Sequence, residues 1–108
     1  MLGMDEADTF NVEMQSDAND VLTVVLDGEL DMADADWVEE SLAAAAPHHR
    51  HMVIELDKLT FIDSTGIRAL LALRQRANLA DITVQFRNPT EAVSRTLTSA
   101  GLTEIFTT

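Results

Sequence analysis

Met52-Val53-Ile54-Glu55-Leu56-Asp57-Lys58-Leu59-Thr60-Phe61-Ile62-Asp63-Ser64-Thr65-Gly66, continued by Ile67-Arg68-Ala69-Leu70-Leu71-Ala72-Leu73-Arg74-Gln75-Arg76-Ala77-Asn78, is the stretch around which the chain is organised. Met52 to Leu56 is a strand-like apolar run. From Ile67 onward, Ile67, Leu70, Leu71 and the aliphatic stem of Arg74 recur at helical spacing among good helix formers. The helix is therefore expected to begin at or just after Asp63. Asp and Ser are both favoured N-caps, because a side-chain oxygen accepts an otherwise unpaired backbone N–H of the first turn. This puts the Ser64 hydroxyl at a helix mouth, where unpaired N–H groups and the helix dipole favour negative charge. A phosphate on Ser64 would be tolerated locally while adding roughly 1.5 to 2 negative charges and three strong acceptors. A glycine costs about 1 kcal/mol inside a helix, so Gly66 in the first turn points to a need for close approach. On the local pattern alone, a simple cap is the plainer reading of Asp63-Ser64.

Working outward, the chain of 108 residues is expected to form one domain, with an acidic, flexible lead-in over residues 1–8 and a folded unit over 9–108. Apolar residues make up 46%, enough for a core. The net charge is −12, with one Lys and six Arg against 19 acids. Such a surface repels nucleic acid and anionic membrane and suits a protein partner with a basic face. There is no Cys, which excludes disulfides and thiolate chemistry. Met1-Leu2-Gly3-Met4-Asp5-Glu6 lacks the basic-then-apolar order of a signal peptide, and no apolar run approaches the roughly 20 residues that span a bilayer. The chain reads as soluble and cytoplasmic, with no cofactor implied.

Thr9 to Met14 alternates as a half-buried strand does, Asp17-Ala18-Asn19-Asp20 supplies turn chemistry, and Val21 to Leu26 is a nearly continuous β-branched run, so a hairpin is expected. Gly28-Glu29-Leu30-Asp31 follows as a loop. Met32 to Ala46 then carries Ala35, Val38, Leu42 and Ala45 on one helical stripe, with Asp31 and Asp34 near its start. Pro47-His48-His49-Arg50-His51 breaks that helix. Three histidines invite a zinc site, but a tetrahedral site needs about four ligands and the neighbourhood supplies no convincing remainder, so a solvated loop is the expectation. Ile82 to Arg87 alternates as a fourth strand. Asn88-Pro89-Thr90-Glu91 reads as an N-cap at Asn88 with Pro at the first helical position, and Val93, Leu97 and Ala100 form the next apolar stripe. Gly101-Leu102 closes it as an αL cap with a hydrophobic contact, and Glu104-Ile105-Phe106 adds a short last element. Trp37 reads as packing.

The predicted fold is therefore α/β: a mixed four- to five-stranded sheet made by an N-terminal β-hairpin followed by β-α-β-α-β-α, with the helices packed on it. Binding loops in such sheets collect at the carboxyl ends of the strands. That rule brings Gly28–Asp31 and Leu59–Gly66 to one end and predicts a single acidic patch of Asp31, Asp63 and Ser64.

Leu59-Thr60-Phe61-Ile62-Asp63-Ser64-Thr65-Gly66 closely resembles the signature of STAS domains in bacterial anti-sigma factor antagonists. Gly28-Glu29-Leu30-Asp31, and Asn88-Pro89 leading into Val93, Leu97 and Gly101-Leu102, match the same family in order and spacing over about residues 9 to 106. The chain stops at Thr108, where many members continue through another helix, and its run Asp34-Ala35-Asp36 is more acidic than usual. The resemblance implies a phosphorylation-controlled partner switch. The unphosphorylated antagonist binds an anti-sigma factor that is also a serine kinase and so frees the sigma factor. Phosphorylation ends the complex, and a metal-dependent serine phosphatase resets it. Carried over by position, Ser64 is the phospho-acceptor, Asp63 and Asp31 flank it, and Thr65, Gly66 and Ile67 contact the partner.

Three rival classes fit less well. A STAS-type interaction module that is never phosphorylated, such as a transporter accessory subunit or a signalling scaffold, is one; some of these lack the acceptor serine, and Ser64 is present here. A phosphopantetheine carrier is a helical bundle, whereas at least four segments here read as strands. An enzyme is disfavoured because Ile62-Asp63-Ser64-Thr65-Gly66 lacks the first glycine of a nucleophile elbow and no base stands near Ser64 in sequence.

Overall fold

The computed structural model describes residues 10–107, so the expected flexible lead-in of residues 1–8 lies outside the described residues. Strand β1 (Phe10–Ser16) is joined through Asp17–Asp20 to β2 (Val21–Leu30). The turn is held by the Asp17 carboxylate, which accepts from the backbone N–H groups of Asn19 and Val21, and Asp20 takes the left-handed conformation. Helix α1 (Ala35–Ala45) ends in a 3-10 turn over Ala46–His48 that contains Pro47, and leads to β3 (His51–Ile62). Helix α2 (Ser64–Leu79), strand β4 (Thr83–Arg87), helix α3 (Glu91–Ser99) and the one-turn α4 (Thr103–Thr107) complete the order.

The four strands lie in the order β1-β2-β3-β4, with β1 antiparallel to β2 and the other neighbours parallel. Both parallel connections advance in the same direction, so the right-handed crossover rule puts α1 and α2 on one face of the sheet, where they pack side by side. That face is the core. Leu22, Val24 and Leu26 of β2, Met52, Ile54 and Leu56 of β3, and Val84 and Phe86 of β4 are buried beneath Val38, Leu42, Leu70, Leu73, Val93 and Leu97. The alternate residues Thr23, Val25, Val53 and Gln85 keep part or much of their surface exposed, which is the pattern of a sheet covered on one side. Phe106 of α4 is fully buried against Phe86, with ring centroids 4.4 Å apart.

Several boundaries differ from the sequence expectation. Gly28–Leu30 and Leu59–Ile62, expected as loops, are strand. Between Val25 and Leu30 the pairing with β3 shifts twice: Val25 faces Glu55 but Asp27 faces Lys58, and Gly28 faces Leu59 but Glu29 faces Phe61. Each shift inserts one extra residue into β3, and such bulges break the strict alternation on which a strand reading relies. Their effect is to turn Leu59 and Ile62 inward after Leu56, at intervals of three residues instead of two. Gly28 adopts φ 108°, which only glycine adopts freely, and its carbonyl accepts from the Thr60 hydroxyl across the second bulge at 3.0 Å.

Helix α1 starts at Ala35 rather than Met32. The Asp31 carboxylate accepts from Ala33 N–H at 3.0 Å, and its carbonyl accepts from Asp34 and Ala35, so Asp31 fixes a turn before the helix instead of capping it. Helix α3 is capped by Thr90, not Asn88. The Thr90 hydroxyl accepts from Val93 N–H at 3.2 Å and donates to the Leu59 carbonyl at 2.7 Å, while Asn88 sits at φ 57° with its amide donating to Glu55. The expected close of α3 is present as two nested bonds, Gly101 N–H to Thr98 O and Leu102 N–H to Leu97 O, with Gly101 at φ 73°. The histidine segment is not a free loop. The His49 ring bonds the Ala45 carbonyl and the Ser16 hydroxyl, and His51 opens β3 and bonds Thr83.

Candidate functional site

The parallel pair β2 and β3 ends in register, Leu30 beside Ile62, both buried. The next residues, Asp31 and Asp63, therefore emerge side by side at the carboxyl ends of adjacent strands, and the Asp63 N–H donates to the Leu30 carbonyl at 3.2 Å. Asp63 caps α2 as expected. One carboxylate oxygen, Oδ1, accepts from Thr65 N–H at 2.9 Å, Gly66 N–H at 3.1 Å and the Thr65 hydroxyl at 2.5 Å. The Thr65 hydroxyl bond, with the backbone N–H groups of Gly66 and Thr65, holds the Asp63 carboxyl below the usual aspartate range, against a smaller opposing effect of burial.

This arrangement separates the two hydroxyls of the turn. Thr65 is half-buried and committed to Asp63, whereas Ser64 is exposed and its hydroxyl makes no hydrogen bond among the described residues. Gly66 is buried: a Cβ there would stand 2.8 Å from Ile62 Cγ1, 2.8 Å from the Leu30 carbonyl oxygen and 2.9 Å from Leu30 Cγ. The close approach expected of Gly66 is thus made to the ends of β2 and β3, and it seats the first turn of α2 on the sheet.

The core-facing stripe of α2 comprises Ile67, Leu70, Leu73 and Ala77 with Gly66 and Ala69, which corrects the expected stripe through Leu71 and Arg74. A helix seated this deeply buries a broader arc, and the arc is rotated away from Leu71. Leu71 instead lines a groove of about 420 Å³ beside Ser64, with Ile67, Arg68, Ala100 and Leu102. Met32 and Phe61, next to the strand ends in sequence, are exposed over 77% and 46% of their surface. The structure thus brings Asp31, Asp63, Ser64, Thr65 and Ile67 to one end of the sheet, with Gly66 beneath them. The sequence reading did not place Arg68 and Leu71 beside Ser64. Their signal is the interval from Ser64, four and seven residues, which keeps them on its helical face.

The fold and site together define a small α/β domain that presents a serine with no hydrogen bond among the described residues at the mouth of a helix over two parallel strand ends. The chain belongs to the STAS domain family, whose match runs over residues 11–108. Among solved structures it is similar to an anti-sigma factor antagonist from Mycobacterium paratuberculosis, with 27% identity, a TM-score of 0.72, and coverage of 92% of this chain and 84% of that one. The anti-sigma factor antagonist SpoIIAA in its unphosphorylated form shares 17% identity at a TM-score of 0.76, over 91% of this chain and 86% of that one. The Bacillus cell fate determinant SpoIIAA in its phosphorylated form gives 16% and 0.70, over 91% of this chain and 89% of that one. The anion transporter SLC26A9 matches at 16% identity and a TM-score of 0.70, covering 82% of this chain but 17% of the transporter. These likenesses below 25% identity speak for the fold. No helix among the described residues is long and apolar enough to cross a membrane.

Proposed function

We propose that this chain is a cytoplasmic anti-sigma factor antagonist that works as a phosphorylation-controlled partner switch. In its unphosphorylated form it binds an anti-sigma factor that is also a serine kinase, and the sigma factor is released. The observation that carries the reading is the unbonded, exposed Ser64 hydroxyl beside a Thr65 hydroxyl that is tied to Asp63. Asp31, Asp63 and Thr65 form the docking surface around it, the largely buried Ile67 backs the groove beside it, and Gly66 acts from below by fixing the turn. In the transfer step the Ser64 oxygen bonds to the γ-phosphorus of ATP, the bond to ADP breaks, and a kinase base takes the hydroxyl proton. The chain supplies the acceptor and no catalysis of its own. Its net charge of −12 makes the partner a protein with a basic face, not nucleic acid or membrane. A metal-dependent serine phosphatase removes the phosphate and resets the switch.

The test is intact-mass spectrometry with peptide mapping after incubation with ATP and each candidate anti-sigma kinase of the same genome. One added phosphate is expected on Ser64, absent in Ser64→Ala and retained in Thr65→Val. Ser64→Ala keeps partner binding, since it removes the acceptor with little change of volume. A stable complex in which no phosphate appears would overturn the switch and favour the alternative, an unphosphorylated STAS interaction module.

A further inference from the structure

Arg68 stands four residues beyond Ser64 on α2, the spacing at which side chains on a helix surface become neighbours. Both residues are exposed and both line the groove that Ile67, Leu71 and Leu102 floor. Arg76 is engaged by Glu39 and Glu40, Arg87 by Glu55 and Arg95 by Glu91, whereas Arg68 forms no ion pair among the described residues. On its other side Arg68 shares a recess with Asp36 and Glu39 of α1 and with Thr65, and Glu39 already bonds Arg76. The groove itself presents no charge besides Arg68: its remaining lining is apolar apart from Ser64 and the neutral Gln75.

We propose that Arg68 is the intrachain counter-ion of phosphorylated Ser64. This rests on the reading of Ser64 as the phospho-acceptor and adds how the phosphate is received. The guanidinium donates to the phosphate oxygens along the groove wall, a planar fork meeting a dianion. Phosphorylation then makes two changes in one event. The serine gains a dianion, and the groove loses the free cation that stood beside its apolar floor. The pairing also offsets the repulsion of the phosphate by Asp31 and Asp63 at the strand ends and by Asp36 and Glu39 from α1. Those four carboxylates raise the second pKa of the phosphate, and Arg68 lowers it.

The test needs no kinase: phosphoserine is installed at position 64 of the full chain during translation, and its ³¹P resonance is titrated through the second ionisation, near pH 6 for a phosphoserine. At low salt, Arg68→Gln is expected to raise that pKa by about half a unit, a shift that high salt erases, because only the cation is removed while the carboxylates stay. Arg68→Lys restores part of the shift. Arg95→Gln, a loss of equal charge on α3, leaves it unmoved. Equal pKa values for the native and Arg68→Gln chains would overturn the proposal, as would a shift of the same size from Arg95→Gln. Either result leaves phosphorylation by a kinase untouched. Failure of every kinase to modify Ser64 would sink the switch without altering this titration.

Discussion

Asp63 holds the site together at the scale of one side chain. A single oxygen collects three donors, two of them backbone N–H groups that the start of a helix leaves unpaired. Removal of such a cap costs about 1–2 kcal/mol, so Asp63→Ala should lose that much in urea denaturation at neutral pH. The charge adds a pH dependence whose sign is fixed. The folded-state pKa lies below the unfolded one, about 3.9 for an aspartate, so the contribution is complete above that value and is lost as pH falls through the folded pKa. Asp63→Asn keeps an acceptor but does not titrate. The stability gap between native and Asp63→Asn chains should therefore be open at pH 7 and close below about pH 4. A gap that stays constant across that range would mean that the carboxylate charge contributes nothing to the cap.

At the scale of elements, the site depends on how closely α2 sits on the ends of β2 and β3, and Gly66 sets that distance. Gly66→Ala would gain about 1 kcal/mol of helix propensity. Against this, the new methyl meets Ile62 and a backbone carbonyl at 2.8 Å, and a carbonyl held by the sheet cannot yield as the end of a flexible side chain can. Overpacking of this kind costs about 1–3 kcal/mol, so the clash outweighs the propensity gain. The urea midpoint of Gly66→Ala should fall, and phosphate uptake at Ser64 should fall with it as the first turn lifts off. A rise in the midpoint would show that the helix slides freely. The same scale explains what was legible in the sequence. The Asp63 cap, the Gly101-Leu102 stop and the four strands were readable because each rests on local periodicity or a local bond. The bulges in β3 were not, since Leu59 and Ile62 face inward only through pairing with β2, distant in sequence. Nor was the cap of α3: Asn88-Pro89 satisfies every local rule for a helix start, yet Thr90 takes the role because its hydroxyl also reaches the Leu59 carbonyl across the fold. The groove beside Ser64 needs Ala100 and Leu102, just past α3, brought beside α2, which no local pattern encodes.

At the scale of the whole molecule, the net charge of −12 bears on the rate through which the proposed switch would act. A basic partner is drawn in by the summed field, which salt screens over about 8 Å at physiological ionic strength. Phosphorylation adds roughly 1.5 to 2 negative charges to the existing excess. That increment is small beside the charge already present, and its sign strengthens the attraction of a basic face. Long-range steering therefore cannot explain release. The dianion must act at contact, where the exposed hydroxyl of Ser64 is replaced by a group costly to strip of water beside the largely apolar Leu71 groove. Stopped-flow association and dissociation of the phosphorylated and unphosphorylated chains with the anti-sigma partner separate the two effects. The association rate should change by less than about threefold, while dissociation accelerates by about a hundredfold, because the cost of stripping a charged group of water falls on the formed contact and not on the encounter. Raising salt should slow association of both forms alike. A loss of affinity carried by the association rate, with dissociation unchanged, would put the switch in the long-range field of the molecule and remove the contact at Ser64 from its mechanism.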